Sequence, residues 1–204
     1  HQWSIGSALL WSPFFLLGHG LALAFHAAGS PCSLDGFSFP YYLATSLATL
    51  LYGWAGLLLL NSVLCRFYGR GIACLAAATA AFASQTSYYT FCHPVHDHGL
   101  VFAGMSLVLW AFYRLREMPE RASSWALLGA ATGLVMALRP DTPLLLPVVV
   151  IALMPNLRWR ALPGIVCFTA SMLFFYAPQL LANHLFHGAW IGSGGDPNHS
   201  MNDF

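Results

Sequence analysis

The chain has no lysine, and only eight arginines and seven acidic residues are spread over its 204 positions. A charged fraction of 7%, against about 25% in soluble domains, leaves too few polar groups to cover a globular surface. The formal net charge of +1 is scattered over short separated segments, so no basic face is available to track phosphates and a nucleic-acid partner is excluded. Strict apolar/polar alternation is missing, which argues against a membrane β-barrel. The Gly-rich stretch Gly192–Pro197 has no Lys-Ser/Thr and follows no strand, so it is not a nucleotide cradle. Disorder is excluded by what is abundant, 58% hydrophobic and 15% aromatic residues, which invite burial.

The apolar residues fall into continuous runs, and inside lipid a continuous run satisfies its backbone only as a helix. Seven runs are predicted as membrane segments: Ser7–Ala28, Tyr41–Leu64, Gly71–Thr90, Gly99–Tyr113, Trp125–Leu138, Leu144–Met154 and Leu162–Phe186. The expected fold is therefore all-α, a polytopic transmembrane helix bundle with short loops. It occupies residues 1–187, with a polar outer loop or the start of a downstream region over 188–204. The first run lacks the basic flank of a signal peptide and is closely followed by a second. The chain opens at His1 rather than Met, which predicts an upstream segment.

Arginine near segment ends is retained on the cytoplasmic side during insertion. With seven alternating segments, Arg66, Arg70, Arg114, Arg116, Arg121, Arg158 and Arg160 share one side. Asp35, Asp97, Asp141, Asp196 and Asp203, with His93, His96, His98 and His199, share the other. Arg139 breaks this segregation. It stands in Leu138-Arg139-Pro140-Asp141-Thr142-Pro143, on the acidic side, between two short apolar runs that the prolines separate. A guanidinium at membrane depth costs several kcal/mol unless paired or facing a wet cavity, so it marks a functional site. A structural ion pair with Asp97 or Asp141 is the alternative.

The same side carries His93-Pro94-Val95-His96-Asp97-His98. Neutral imidazoles and a carboxylate can ligate a metal or act as acid and base near neutral pH. No His-Glu-x-x-His pattern is present and Pro94 interrupts the helical spacing. Acid/base or phosphate contact from His96, Asp97 or His98 is thus expected ahead of a metal site, and a divalent metal is left open. His19 and His26, seven apart, are expected to pack within the first helix, and His184 and His187 to lie at the interface. Of the five cysteines, only Cys32 and Cys92 can meet on the oxidising side; Cys65, Cys74 and Cys167 read as small apolar fillers. Gly53-x-x-Gly56, Gly129-x-x-x-Gly133 and Ala76–Ala83 would allow close helix approach.

Several stretches in order resemble bacterial membrane glycosyltransferases of the type C fold, the group containing protein O-mannosyltransferases and lipid A aminoarabinose transferases. They are Ile5-Gly6-Ser7-Ala8-Leu9-Leu10-Trp11-Ser12-Pro13-Phe14-Phe15, Asp35-Gly36-Phe37-Ser38 ahead of Tyr41-Tyr42, and His93-Pro94 followed by His98 and Phe102. Gly129-x-x-x-Gly133-Leu134 leading to Arg139-Pro140, then Pro178-Gln179 with Gly188, continue the likeness. It implies transfer of a sugar from a polyprenyl-phosphate donor to a lipid, glycan or protein acceptor at the extracytoplasmic face of a bacterial inner membrane. On that likeness Arg139 neutralises the phosphate leaving group, and His98 with His96 contacts phosphate or sugar. Asp97 serves the acceptor hydroxyl, and His93 and Gln179 belong to the substrate site. The family's catalytic acidic residue usually lies in a first outer loop, so the resemblance also implies that this chain is an internal fragment lacking it. A transporter or channel subunit is the competing expectation, since broken helices serve transport as well.

Overall fold

The computed structural model describes residues 4–84, 88–89, 93–139, 145–153 and 161–190. Among these residues the helices are α1 (Ile5–Ala27), α2 (Phe39–Leu64), α3 (Arg70–Phe82), α4 (His98–Glu117), α5 (Ala122–Leu138), α6 (Leu145–Leu153) and α7 (Leu162–His187). Each expected apolar run overlaps one of them, although the run Gly71–Thr90 continues past the end of α3 at Phe82. Four helices, Ile5–Ala27, Phe39–Leu64, His98–Glu117 and Leu162–Phe186, are long and apolar enough to cross a membrane. α3, α5 and α6 have 13, 17 and 9 residues; at 1.5 Å per residue all three fall short of a bilayer core of about 30 Å. The seven crossings expected from the sequence thus become four candidate spans and three shorter helices.

Local chemistry explains the boundaries. Pro40 and Pro163 stand in the first turns of α2 and α7, where a missing N–H costs nothing. Gly188 closes α7 in the left-handed region at φ +68°, its N–H donating to His184 O at 3.0 Å. Between α1 and α2 the chain reverses through Gly29 (φ +81°) and Gly36 (φ +85°), and Asp35 Oδ1 accepts the Phe37 N–H at 2.8 Å. That backbone bond, then one from Ser33, holds the exposed Asp35 carboxyl below its ordinary range.

The centre of the molecule is α5. Leu128, Thr132, Val135 and Leu138 are 0% exposed, and buried positions run around the whole helix, as expected of a segment enclosed by other helices. It packs most extensively on α7 and also on α4 and α1. A Cβ on Gly129 would stand 2.1 Å from Phe168 O, and one on Gly133 2.2 Å from Met172 O. The backbones of α5 and α7 therefore touch through these two glycines, the close approach that small residues permit between helices in lipid. Ser171 Oγ adds a bond to Ala126 O at 2.8 Å across the same seam, and Trp125 Nε1 donates to Pro119 O at 2.8 Å, fixing the start of α5.

Contacts along each pair give direction and height. α5 and α7 run parallel, since Gly164 meets Trp125 at one end and Gly133 meets Met172 further along. α2 and α4 are also parallel, Gly56 against Ala103 and Arg66 Nη1 2.6 Å from Glu117 Oε1. α4 and α5 are antiparallel, with Gly104 on Val135 and Asp97 beside Arg139. α1 and α2 form an antiparallel hairpin: Tyr52 Oη donates to Leu10 O at 3.2 Å, Trp11 Nε1 to Thr49 Oγ1 at 3.0 Å, and His19 Nδ1 lies 2.6 Å from Tyr41 Oη. Strand-like alternation of direction is thus kept, but heights are not level. Gly6 packs on the backbone of Ala137, Ser4 Oγ donates to Leu138 O, and the Ile5 N–H donates to Gln179 Oε1 at 2.8 Å.

α1 consequently starts where α5 finishes and continues in the same direction. An alternating bundle of equal crossings would have set the start of α1 beside the start of α5. Placed upright end to end, 17 and 23 residues would reach about 60 Å, twice the apolar thickness of a bilayer. The two cannot both stand upright in one membrane. α1 and α7 nevertheless present alike surfaces: Leu16 and Leu17 on α1 and Val166 and Phe174 on α7 are all largely exposed.

Two glycine substitutions test this seam. Gly133→Ala forces a methyl group onto a carbonyl oxygen, and a loss of about 1–3 kcal/mol is expected from overpacking. Gly53→Ala meets nothing within 4 Å and is expected to be neutral. Thermal unfolding in detergent, followed by light scattering, compares them; equal melting points would refute the packing.

Candidate functional site

The end of α5 and the start of α4 bring Arg139, Asp97 and His98 together. Pro140 disfavours a helical conformation in the residue before it, and Arg139 is extended at φ −146°, ψ 143°. This ends α5 and turns the arginine out of the helix path. Asp97 takes the N-cap position of α4, its carbonyl accepting the Val101 N–H at 2.9 Å, yet its side chain makes no capping bond. The carboxylate instead faces the guanidinium, with Asp97 Oδ2 3.6 Å from Arg139 Nε, and the side chains are 26% and 36% exposed. The positive end of the α4 dipole favours the negative charge at this place. The ion pair weighed from the sequence is therefore present with Asp97; Asp141 lies outside the described residues.

A file of rings flanks the pair. Tyr89 stacks on His98 with centroids 3.9 Å apart and planes at 23°, and its edge meets His96 at 5.5 Å. Tyr88 lies 5.1 Å from His93 and 5.3 Å from Tyr89. The His96 N–H donates to His93 O at 3.1 Å, folding His93–Asp97 into a turn. His93 and His96 are exposed, while His98 is half-buried. Among the described residues no three His, Cys, Asp or Glu side chains are placed to hold a metal ion. Tyr88 and Tyr89 are the site residues that composition and spacing did not single out; their adjacency just before a histidine-rich turn was the available signal.

Gln179 is held elsewhere. Its Oε1 accepts the Ile5 N–H and its Nε2 donates to Asn183 Oδ1 at 2.8 Å, so the amide ties α7 to the start of α1. It stands at the same end of α5 as Arg139, joined to it through Ser4 and Leu138, and among the described residues its amide bonds to Ile5 and Asn183 and not to the histidine turn. Cys32 is half-buried with a free thiol, and Cys92, its expected partner, lies outside the described residues. His19 bonds across to Tyr41 and His184 stacks on Trp190 at 4.2 Å, each satisfied by packing.

Beside this end of α5 opens an apolar cavity of about 700 Å³ between α1, α5 and α7, lined among others by Gly6, Leu10, Ala137, Phe174, Pro178 and Trp190. Its lining reaches Ala137 in the last turn of α5, two residues before Arg139, and includes neither Arg139 nor Asp97. α1, α2 and the last turns of α7 continue past the level of the pair. The arrangement suits an amphiphile with an anionic group and a hydrocarbon part.

A bundle with four helices long and apolar enough to cross a membrane belongs to the class of membrane proteins. Within it, the chain is similar to the lipopolysaccharide core galacturonosyltransferase RgtA of Rhizobium johnstonii, 30% identical over 128 residues, which are 63% of this chain and 24% of that protein. The chain thus spans about a quarter of the length of the curated relative it matches. No family model matches it, and no solved structure matches it significantly.

The ring file generates a further expectation. Removing the Tyr89 ring frees one face of His98, and stacking of this kind is worth about 0.5–1.5 kcal/mol. Tyr89→Ala is expected to speed carbethoxylation of His98 roughly two- to tenfold, read by mass spectrometry, and Tyr89→Phe to leave it unchanged. An unaltered rate in Tyr89→Ala would remove Tyr89 from the site.

Proposed function

We propose that this protein is a multi-pass glycosyltransferase of a bacterial plasma membrane, transferring a sugar from a polyprenyl-phosphate donor to a lipid-linked glycan or other acceptor at the extracytoplasmic face. The observation that carries the reading is the Arg139–Asp97 pair at the end of α5, with an apolar cavity beside the last turn of the same helix, and the similarity to a galacturonosyltransferase supports the reaction class. A lipid phosphate needs a cation for its head and a water-poor hollow for its tail. Arg139 answers the first need and the cavity between α1, α5 and α7 the second.

In this mechanism Arg139 holds the phosphate and stabilises the charge that gathers on it as the sugar departs. His98, fixed by Tyr89, and His96 contact phosphate or sugar, with His93 at the exposed edge. Asp97 is the carboxylate that receives the acceptor's proton. Gln179 acts by holding the start of α1 against α7, so that the cavity keeps its wall.

Farnesyl phosphate is the probe for the phosphate role. With the protein in lipid nanodiscs, Arg139→Ala is expected to weaken its binding about ten- to a hundredfold, the worth of a charge-assisted bond, while farnesol binding stays constant. Transfer of labelled sugar from a polyprenyl-phosphate donor is expected to fall with it. Unchanged farnesyl phosphate affinity in a normally inserted Arg139→Ala protein would sink the reading, and loss of solute uptake in place of transfer would favour a transporter.

A further inference from the structure

We infer that donor binding and base release are one event at this site: the lipid phosphate takes Arg139 from Asp97, and only then is the Asp97 carboxylate available to the acceptor. The inference rests on the phosphate role given to Arg139 above and adds the order in which the site assembles. Three observations carry it. The pair is close but loose, 3.6 Å between Arg139 Nε and Asp97 Oδ2, beyond hydrogen-bond length, so it is held by charge attraction and not by a directed fork. Both side chains are partly exposed, which lets a ligand reach the guanidinium without unpacking α4 or α5. Asp97 does not cap α4 with its side chain, so no bond within its own helix would hold the carboxylate back once the guanidinium turns away.

A phosphate offers the guanidinium two oxygens in the geometry of its N–H fork. Toward Asp97 the contact is one nitrogen and one oxygen at 3.6 Å, weaker than such a fork, and exchange of this contact follows. Two anions beside one cation also repel each other, so the arriving phosphate drives Asp97 toward the open side of the turn, next to His98. The chemistry then balances. The acceptor hydroxyl gives its proton to Asp97, its oxygen bonds the anomeric carbon, and the bond from that carbon to the phosphate oxygen breaks. The electron pair leaves on the phosphate, beside Arg139. Without donor, Asp97 stays paired and the acceptor finds no free carboxylate, which protects the site from idle proton transfer.

Pair exchange makes a prediction of unusual sign, because removing a catalytic carboxylate should improve binding of the anion. Farnesyl phosphate affinity is compared in nanodiscs for the unsubstituted protein, Asp97→Asn, Asp97→Glu and Arg139→Ala, with farnesol as the uncharged control. Asp97→Asn is expected to bind farnesyl phosphate about two- to tenfold tighter, the range given by losing a partly exposed ion pair and one like charge, and to lose sugar transfer. Asp97→Glu keeps the pair and is expected to bind as the unsubstituted protein does, which shows that the turn folds with a changed side chain. Equal or weaker binding by Asp97→Asn, with Arg139→Ala still defective, would overturn the exchange and leave the phosphate role standing. A matching gain for farnesol would also overturn it, since the gain would not come from the phosphate. Arg139→Ala binding as well as the unsubstituted protein would instead remove the phosphate role itself.

Discussion

The contact on which the rest depends is the backbone touch between α5 and α7 at Gly129 and Gly133, where a single added carbon would stand 2.1–2.2 Å from a carbonyl oxygen. In lipid, helix association cannot draw on expulsion of water and relies on packing and hydrogen bonds. Two small residues one turn apart supply that packing, and the Ser171 bond to Ala126 O locks it. Because α5 is enclosed by α1, α4 and α7, its far end is a fixed point. Arg139 is delivered from that point, and Asp97 meets it from the start of α4.

The level of the ion pair inside the molecule follows from the stagger of the helices. Apolar surface continues past Arg139 in both directions, along α1 and α2 on one side and along α4 and α7 on the other. A charge pair in such surroundings is costly, which makes it a candidate functional site. At the opposite end Arg66 pairs with Glu117, and Arg114 lies over the Trp110 ring at 5.3 Å. That end resembles an ordinary interface, with cations at the rim of an apolar span.

Much of this was legible in the residues. Continuous apolar runs gave the described helices, since lipid leaves the backbone no alternative, although the run Gly71–Thr90 continues past the end of α3 at Phe82, and one arginine out of place marked the candidate site. Gly129 and Gly133 announced the close seam. The stagger of α1 was not legible, because hydropathy reports how apolar a helix is and not where it begins against its neighbours. The same limit hid what holds Gln179: its amide is engaged by the Ile5 N–H across 174 positions, which no local pattern records. Span count was legible only in part, for a related reason. α5 is as apolar as its neighbours, but its partners are protein on every side, so it needs no bilayer length.

The docking of Ser4 and Ile5 has a consequence for biogenesis. Their partners Leu138 and Gln179 lie 134 and 174 positions downstream, so α1 leaves the ribosome long before either exists. Until then its recorded neighbour is α2, joined to it by Trp11, Phe15 and His19. The hairpin must survive alone in the nascent membrane chain, and the wall of the cavity closes last, when α7 arrives.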